Sequence, residues 1–275
     1  MDKLSVTMKP HFVKWILGGL SSTLEGFSKS NYSRVLIPLY KRFFDVNTEE
    51  ARIPQKGFDS LEGFFTRKLI QGARPFDDKE KTLVSPVDGI LNTYTVDEKA
   101  QFKVKGKVYS LADLFKDKSE YENYLKGWVL IFYLSPSNYH RIHMPLAAKE
   151  IRSYTRGGFS YPVNDFGLKN FSDVLTKNRR LVSHFENSGS VFTMISLGAL
   201  NVNSIVRSHD ENRFYKKAQE YGYFSFGSTV MLFFPRESIE FSREDGPIKQ
   251  GETLGKYKAK GSLKKAAFYN RKVKL

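Results

Sequence analysis

The 275-residue sequence contains no cysteine, which excludes disulfide frameworks, thiolate catalysis and cysteine-based zinc sites together. Long hydrophobic runs are also missing: apolar stretches such as 128–134 fall far short of the roughly 18 to 20 residues that a bilayer-spanning helix needs. A secretory leader is not expected either. Lys14 and the Gly18-Gly19 pair interrupt the apolar stretch 8–24, and no small-residue cleavage site follows it. There is no internal repeat, no βαβ rhythm and no strong DNA or RNA motif, so solenoids, doubly wound folds and a nucleic-acid partner are set aside. Acidic residues are scarce at the two ends. Through Phe44 seven Lys/Arg face only Asp2 and Glu25, and over 256–275 eight Lys/Arg face no acid. Most of the net charge of +15 therefore lies in the ends, and the middle is nearly neutral. Such ends act either as solubilising surface or as attraction toward an anionic bilayer, at up to about 1 kcal/mol per basic residue near the membrane.

What is present is the composition of a folded protein: 40% hydrophobic, 27% charged, with 23 Phe and 15 Tyr. Phe12, Trp15, Ile16, Leu20, Leu24 and Phe27 recur every three or four residues and share one helical face. That face fits a membrane interface, the protein's own core or a partner subunit. A second pattern runs through Tyr32, Val35, Leu36, Leu39, Tyr40 and Phe43, with Pro38 expected to bend or interrupt it. Asp59 and Glu62 form a capping-box signature before Phe64, Phe65 and Leu69, predicting a helix that ends near Gly72. From Leu83 onward the texture changes to short apolar runs between turns. Strands are predicted at 82–86, 90–96, 128–134, 181–185, 191–196, 202–208 and 224–234, with a short helix at 110–115 and a turn at Asp88-Gly89. The fold class read from this order is α+β, a mainly antiparallel β core with amphipathic helices at the N-terminal side.

Three places can carry chemistry. Of five histidines, His140 and His143 lie together in Ser135-Pro136-Ser137-Asn138-Tyr139-His140-Arg141-Ile142-His143-Met144-Pro145. If Ser135 caps a short helix the two imidazoles share a face; in an extended segment they diverge. Imidazole is the neutral-pH acid and base, and metal ligation is its competitor, though a His-x-x-His pair by itself lacks a third zinc ligand. Asp88 is either a turn residue or a carboxylate that orients an imidazole. Gly227-Ser228, heading the apolar run Thr229-Val230-Met231-Leu232-Phe233-Phe234, is either a strand irregularity or a strained peptide beside an attacking hydroxyl.

Together these segments resemble the phosphatidylserine decarboxylase family. Val84-Ser85-Pro86-Val87-Asp88-Gly89 is similar to its aspartate motif, 132–145 to its histidine motif, and Phe226-Gly227-Ser228-Thr229 to its cleavage motif. The likeness extends, in order, through Ser60-Leu61-Glu62-Gly63-Phe64-Phe65-Thr66-Arg67, Gly72-Ala73-Arg74-Pro75-Phe76-Asp77, the loop 158–164 and Asn178-Arg179-Arg180. The resemblance implies that Asp88, His143 and Ser228 form a self-cleavage triad acting at Gly227-Ser228. The products are a large chain 1–227 and a small chain 228–275, whose first residue becomes a pyruvoyl group. His140 is implied to assist the later decarboxylation of phosphatidylserine to phosphatidylethanolamine and carbon dioxide, with neither metal nor pyridoxal phosphate. The implied partners are phosphatidylserine in an anionic membrane and a second copy of the chain. The implied location is peripheral, on the cytoplasmic face of a bacterial cell membrane. Residues 1–50 are read as an amphipathic membrane-associating segment and 51–275 as the catalytic domain. A related pyruvoyl decarboxylase acting on another amino-acid-bearing substrate, or a noncatalytic membrane-binding homologue, is the alternative.

Overall fold

Alternation of side chains along two apolar segments, 128–134 and 228–234, sets the centre of the molecule. The structure, a computed structural model, describes residues 26–158, 161, 163, 173–198, 205–209, 213–225 and 228–258. Most of the first helical face, Phe226, Gly227, most of the loop 158–164 and the basic tail after Lys258 lie outside the described residues. The strands, in chain order, are β1 (Thr82–Val84), β2 (Gly89–Thr95), β3 (Gln101–Val104), β4 (Lys107–Ser110), β5 (Trp128–Leu134), β6 (Arg141–His143), β7 (Ala148–Arg156), β8 (Arg180–Asn187), β9 (Ser190–Gly198), β10 (Ile205–Arg207), β11 (Phe214–Tyr215), β12 (Glu220–Phe224), β13 (Ser228–Phe234), β14 (Ile239–Phe241), β15 (Gly246–Ile248) and β16 (Thr253–Tyr257). Eight of them form one sheet in the order β11-β7-β8-β9-β13-β5-β2-β15, and two three-stranded sheets, β10-β12-β6 and β1-β16-β14, accompany it. Neighbouring strands run antiparallel, as in β13 against β5 and β9. The α+β class with an antiparallel core is thus what the chain adopts.

Both faces of the large sheet are covered. Leu130, Phe132 and Leu134 of β5 join Val230, Leu232 and Phe234 of β13 in a core shared with Ile142, Tyr221 and Leu254. The intervening Val129, Ile131, Met231 and Phe233 enter a second core with Phe102, Leu111, Phe115 and Tyr124. A strand buried on both faces reads as a continuous apolar run, which is why these two segments stood out.

Several local expectations are corrected. The capped helix is short, Leu61–Phe65, and its cap is Ser60, whose side chain accepts from the Gly63 N–H at 3.1 Å. Ser60 lies one residue nearer the first turn than Asp59, and Thr66 ends the helix well before Gly72. Pro38 falls in the first turn of the helix Ile37–Phe43, where its missing N–H has no intrahelical partner to lose, and a 3₁₀ segment, Asn31–Leu36, precedes it. At Asp88-Gly89 the glycine serves close approach: a Cβ there would sit 2.4 Å from the Tyr133 carbonyl oxygen. The apolar run 224–234 is two strands in two different sheets, β12 and β13.

Candidate active site

The histidine segment is extended where it matters. A turn closes at Ser135 to Asn138, with Asn138 N–H donating to Ser135 O at 3.0 Å, and the chain then enters β6. Three residues apart along an extended chain, His140 and His143 face opposite ways. His140 is fully buried, its ring centroid 3.9 Å from that of Phe65 and its Nδ1 2.9 Å from the Asn138 carbonyl. Its Nε2 is buried with no hydrogen-bond partner. Arg67 pins the loop from behind, donating from Nη2 to Ser137 O at 3.0 Å, and Tyr40 OH donates to Pro136 O at 3.0 Å.

His143 turns toward a cavity of about 240 Å³ lined by Arg74, Tyr139, Ala218, Glu220 and Gln250. Its Nδ1–H donates to the Ala218 carbonyl at 2.8 Å, which leaves Nε2 as the acceptor for Tyr139 OH at 3.0 Å. Ala218 takes a positive φ of 57°, a sparsely populated backbone state held here by a tight turn. Burial lowers the His143 pKa; the Ala218 hydrogen bond and the nearby Glu220 and Asp88 charges oppose the shift, and Arg141 reinforces it.

Asp88 is bonded to two residues of that cavity's lining, Arg74 and Gln250. The corner after β1 is stitched to β6 through His143 N–H and Pro86 O at 2.8 Å. The Asp88 carboxylate takes a two-pronged hydrogen bond from Arg74, Nε to Oδ1 at 2.9 Å and Nη2 to Oδ2 at 2.6 Å, and a third from Gln250 N–H at 2.8 Å. Arg74 also donates to Glu50 at 2.8 Å. Asp88 and His143 are therefore electrostatic neighbours, with the carboxylate bonded to Arg74 and the imidazole to Ala218 and Tyr139.

Ser228 opens β13 between Leu134 of β5 and Gly198 of β9. Upstream, Phe224 N–H donates to His140 O at 3.1 Å, while Glu220 pairs with His143. The register thus sets His140 beside the end of β12 nearer Ser228, and His143 beside the other end. Gly227 lies outside the described residues.

Residues 61–256 match the phosphatidylserine decarboxylase family. The chain belongs to that family. It is 40% identical over 241 residues to the phosphatidylserine decarboxylase proenzyme of Halalkalibacterium halodurans, covering 86% of this chain and 93% of the relative. The corresponding proenzyme of Geobacillus sp. is 40% identical over 233 residues, 83% of this chain and 90% of that one, and the one from Anoxybacillus flavithermus 36% over 239, covering 86% and 90%. Phosphatidylserine decarboxylases are self-processing, pyruvoyl-dependent lyases, so the reaction class of this chain is pyruvoyl-dependent decarboxylation. Among the described residues no group of His, Cys, Asp or Glu is arranged to hold a metal ion.

Of this candidate site, the sequence points to Asp88, His140, His143 and Ser228 but gives no role to Tyr139, Ala218 or Phe65. Tyr139 sits next to His140 in the sequence, yet its hydroxyl serves His143. Only the extended path of the segment reveals that.

Proposed function

We propose that the chain cuts itself between Gly227 and Ser228, converts Ser228 into a pyruvoyl group and then decarboxylates phosphatidylserine to phosphatidylethanolamine and carbon dioxide. One observation carries this reading. Ser228 heads an interior strand paired on both sides, and the chain changes sheets within the few residues between Phe224 and that strand. A bond there can be broken while its downstream side stays fixed.

In maturation the Ser228 hydroxyl adds to the Gly227 carbonyl carbon, the peptide C–N bond breaks and an ester forms, freeing the Ser228 amine. Removal of the Ser228 α-proton then expels the Gly227 carboxylate. The resulting dehydroalanine tautomerises, and water replaces its nitrogen, released as ammonia. His143 takes the hydroxyl proton on its free Nε2 once Tyr139 yields that position, and Asp88 stabilises the imidazolium that results. Proximity within one chain supplies much of the advantage that a protease must gain by binding. The β6–β12 register favours a second reading, in which His140, nearer Ser228 along the pairing, is the base for cleavage and His143 serves decarboxylation.

Two buried polar atoms, His140 Nε2 and Ser225 Oγ, have no hydrogen-bond partner, and in this reading they serve the carbonyl at position 228 once it forms. When formed, the pyruvoyl group supplies the electron sink for loss of carbon dioxide. Residues around it orient the substrate carboxylate and return a proton to its α-carbon, with His140 in that role on the first reading.

The lipid reaches this site from a membrane. Tyr32, Val35, Leu39 and Phe43 are 82%, 71%, 65% and 77% exposed on one side of residues 31–43, among Arg34, Lys41 and Arg42. The opposite side holds Tyr40 against Phe64 and Phe65. In this reading residues 1–50 are the membrane-associating segment and 51–275 the catalytic domain; within the described part of the segment, Tyr40 packs on Phe64 and Phe65. No helix among the described residues is long and apolar enough to cross a membrane. The association is peripheral, on the cytoplasmic face of a bacterial membrane, and the working unit is a homodimer.

Intact mass under denaturing conditions tests the core of this reading. The wild type should give chains 1–227 and 228–275, the shorter blocked by a pyruvoyl group, and Ser228→Ala should give one full-length mass. An active enzyme of single, unmodified full-length mass contradicts it. Carbon dioxide release from phosphatidylserine vesicles but not from soluble serine analogues supports the lipid assignment; release only from the latter overturns it.

A further inference from the structure

We infer that Arg74 is the positioning residue of maturation, fixing the orientation of the Asp88 carboxylate; this rests on the role proposed above for Asp88. The Gly72-Ala73-Arg74-Pro75-Phe76-Asp77 segment has so far been given no part in the chemistry. Its arginine meets Asp88 through Nε and Nη2, a fork matched to both carboxylate oxygens at 2.9 and 2.6 Å. Both side chains are only 8% exposed. The third guanidinium nitrogen, Nη1, donates to Glu50 and to the Ala73 carbonyl, each at 2.8 Å, so the fork itself is held. Glu50 is anchored in turn by Lys249 at 3.1 Å.

A bonded carboxylate this constrained has one plane and one direction. Arg74 sets both. The same guanidinium lies 6.0 Å from the Tyr139 ring, whose hydroxyl caps His143 Nε2, so it bonds one member of the Asp88 and His143 pair and lies beside the tyrosine that caps the other. Surface ion pairs do not behave this way: exposed partners trade water for each other at little gain, whereas a buried carboxylate that loses its cation is strongly penalised. Lysine at this position keeps the charge but cannot reproduce the fork.

The experiment follows self-cleavage of the full-length precursor by intact mass for wild type, Asp88→Asn, Arg74→Lys, Arg74→Gln and Arg74→Ala, with and without added guanidinium ion, and with circular dichroism to measure the folded fraction. Arg74→Lys and Arg74→Gln should mature about 10-fold to 100-fold more slowly than wild type, the range that small misplacements of reacting groups produce. Guanidinium ion at sub-denaturing concentration should restore part of the rate to Arg74→Ala.

Blocked cleavage in Asp88→Asn, together with an unaltered rate in folded Arg74→Lys and Arg74→Gln, would overturn the inference and leave the role of Asp88 standing. Slowing that merely tracks loss of folded protein, with no rescue by guanidinium ion, overturns it equally. Normal cleavage in Asp88→Asn removes the reading on which it rests, a different failure and separately visible. If Arg74→Gln does not fold, Arg74→Lys and the guanidinium rescue decide the matter.

Discussion

Burial takes His140 from an ordinary imidazole to one with a pKa of about 3; the Asn138 carbonyl opposes the shift and the Arg67 charge adds to it. His143 moves in the same direction, again chiefly by burial. Both are therefore neutral bases at physiological pH. The sign of the linked stability follows. An unfolded histidine titrates near 6.5, so below that value the unfolded chain binds protons that the folded chain refuses. The stability is present above about pH 6.5 and is lost as pH falls toward about 3, the His140 value. Urea midpoints of the uncleaved Ser228→Ala protein should drop between about pH 7 and pH 5, and less steeply when His140→Asn is added. A flat midpoint in the parent would contradict this.

The two imidazoles also separate by reaction. On the first reading His143→Asn precursor stays intact, whereas His140→Asn precursor matures but releases carbon dioxide at least about 100-fold more slowly, as loss of general acid-base help entails. The reverse pattern establishes the second reading. Asp88 and His143 were legible as candidates because each is a chemically distinctive residue in a recognisable local string. The bonds that now define them, to Arg74 and Ala218, join residues distant in sequence, and no local pattern reports such pairings.

At the level of elements, pattern worked best where burial is two-sided. The span 128–134 was read in the sequence with the boundaries that β5 has. The run 224–234 failed because hydrophobicity carries no information about which sheet a residue enters; Phe224 and Ser228 are close in sequence and belong to different ones. The face from Phe12 to Phe27 lies almost wholly outside the described residues, but for the apolar pattern from Tyr32 to Phe43 the structure shows which side chains are covered. Tyr40 faces inward and hydrogen-bonds Pro136, while Leu39 and Phe43 face out. Replacing Leu39 and Phe43 by serine removes apolar surface available to a bilayer, and vesicle flotation should show binding to anionic liposomes weakened by about 10-fold or more. Self-cleavage should be unimpaired, because neither side chain packs on the site. Equal flotation would remove this face from the membrane assignment.

Considered as a whole, the molecule is sewn together by the segment that the cut would detach. β13 fills the gap between β9 and β5, β15 extends the same sheet beyond β2, and β16 joins β1 to β14. Gln250 adds its bond to Asp88 from the same segment. Mature protein should therefore elute as one species on native gel filtration and resolve into two chains only after denaturation. Separation under native conditions would contradict the arrangement. Leu232→Ala, at a fully buried position in β13, should cost about 2 to 5 kcal/mol of folding stability in the uncleaved background.

That interior place for β13 also imposes an order in time. Before β13 is inserted, β5 and β9 expose unpaired edges to each other across an empty slot, and such edges recruit other chains. A nascent protein severed at Gly227 too early would lose its middle strand while still assembling. If the bond is cut as proposed, chain continuity is a requirement of folding that lapses once the sheet is complete, and an attack that waits for the finished fold would act as a check that only correctly assembled molecules become enzymes.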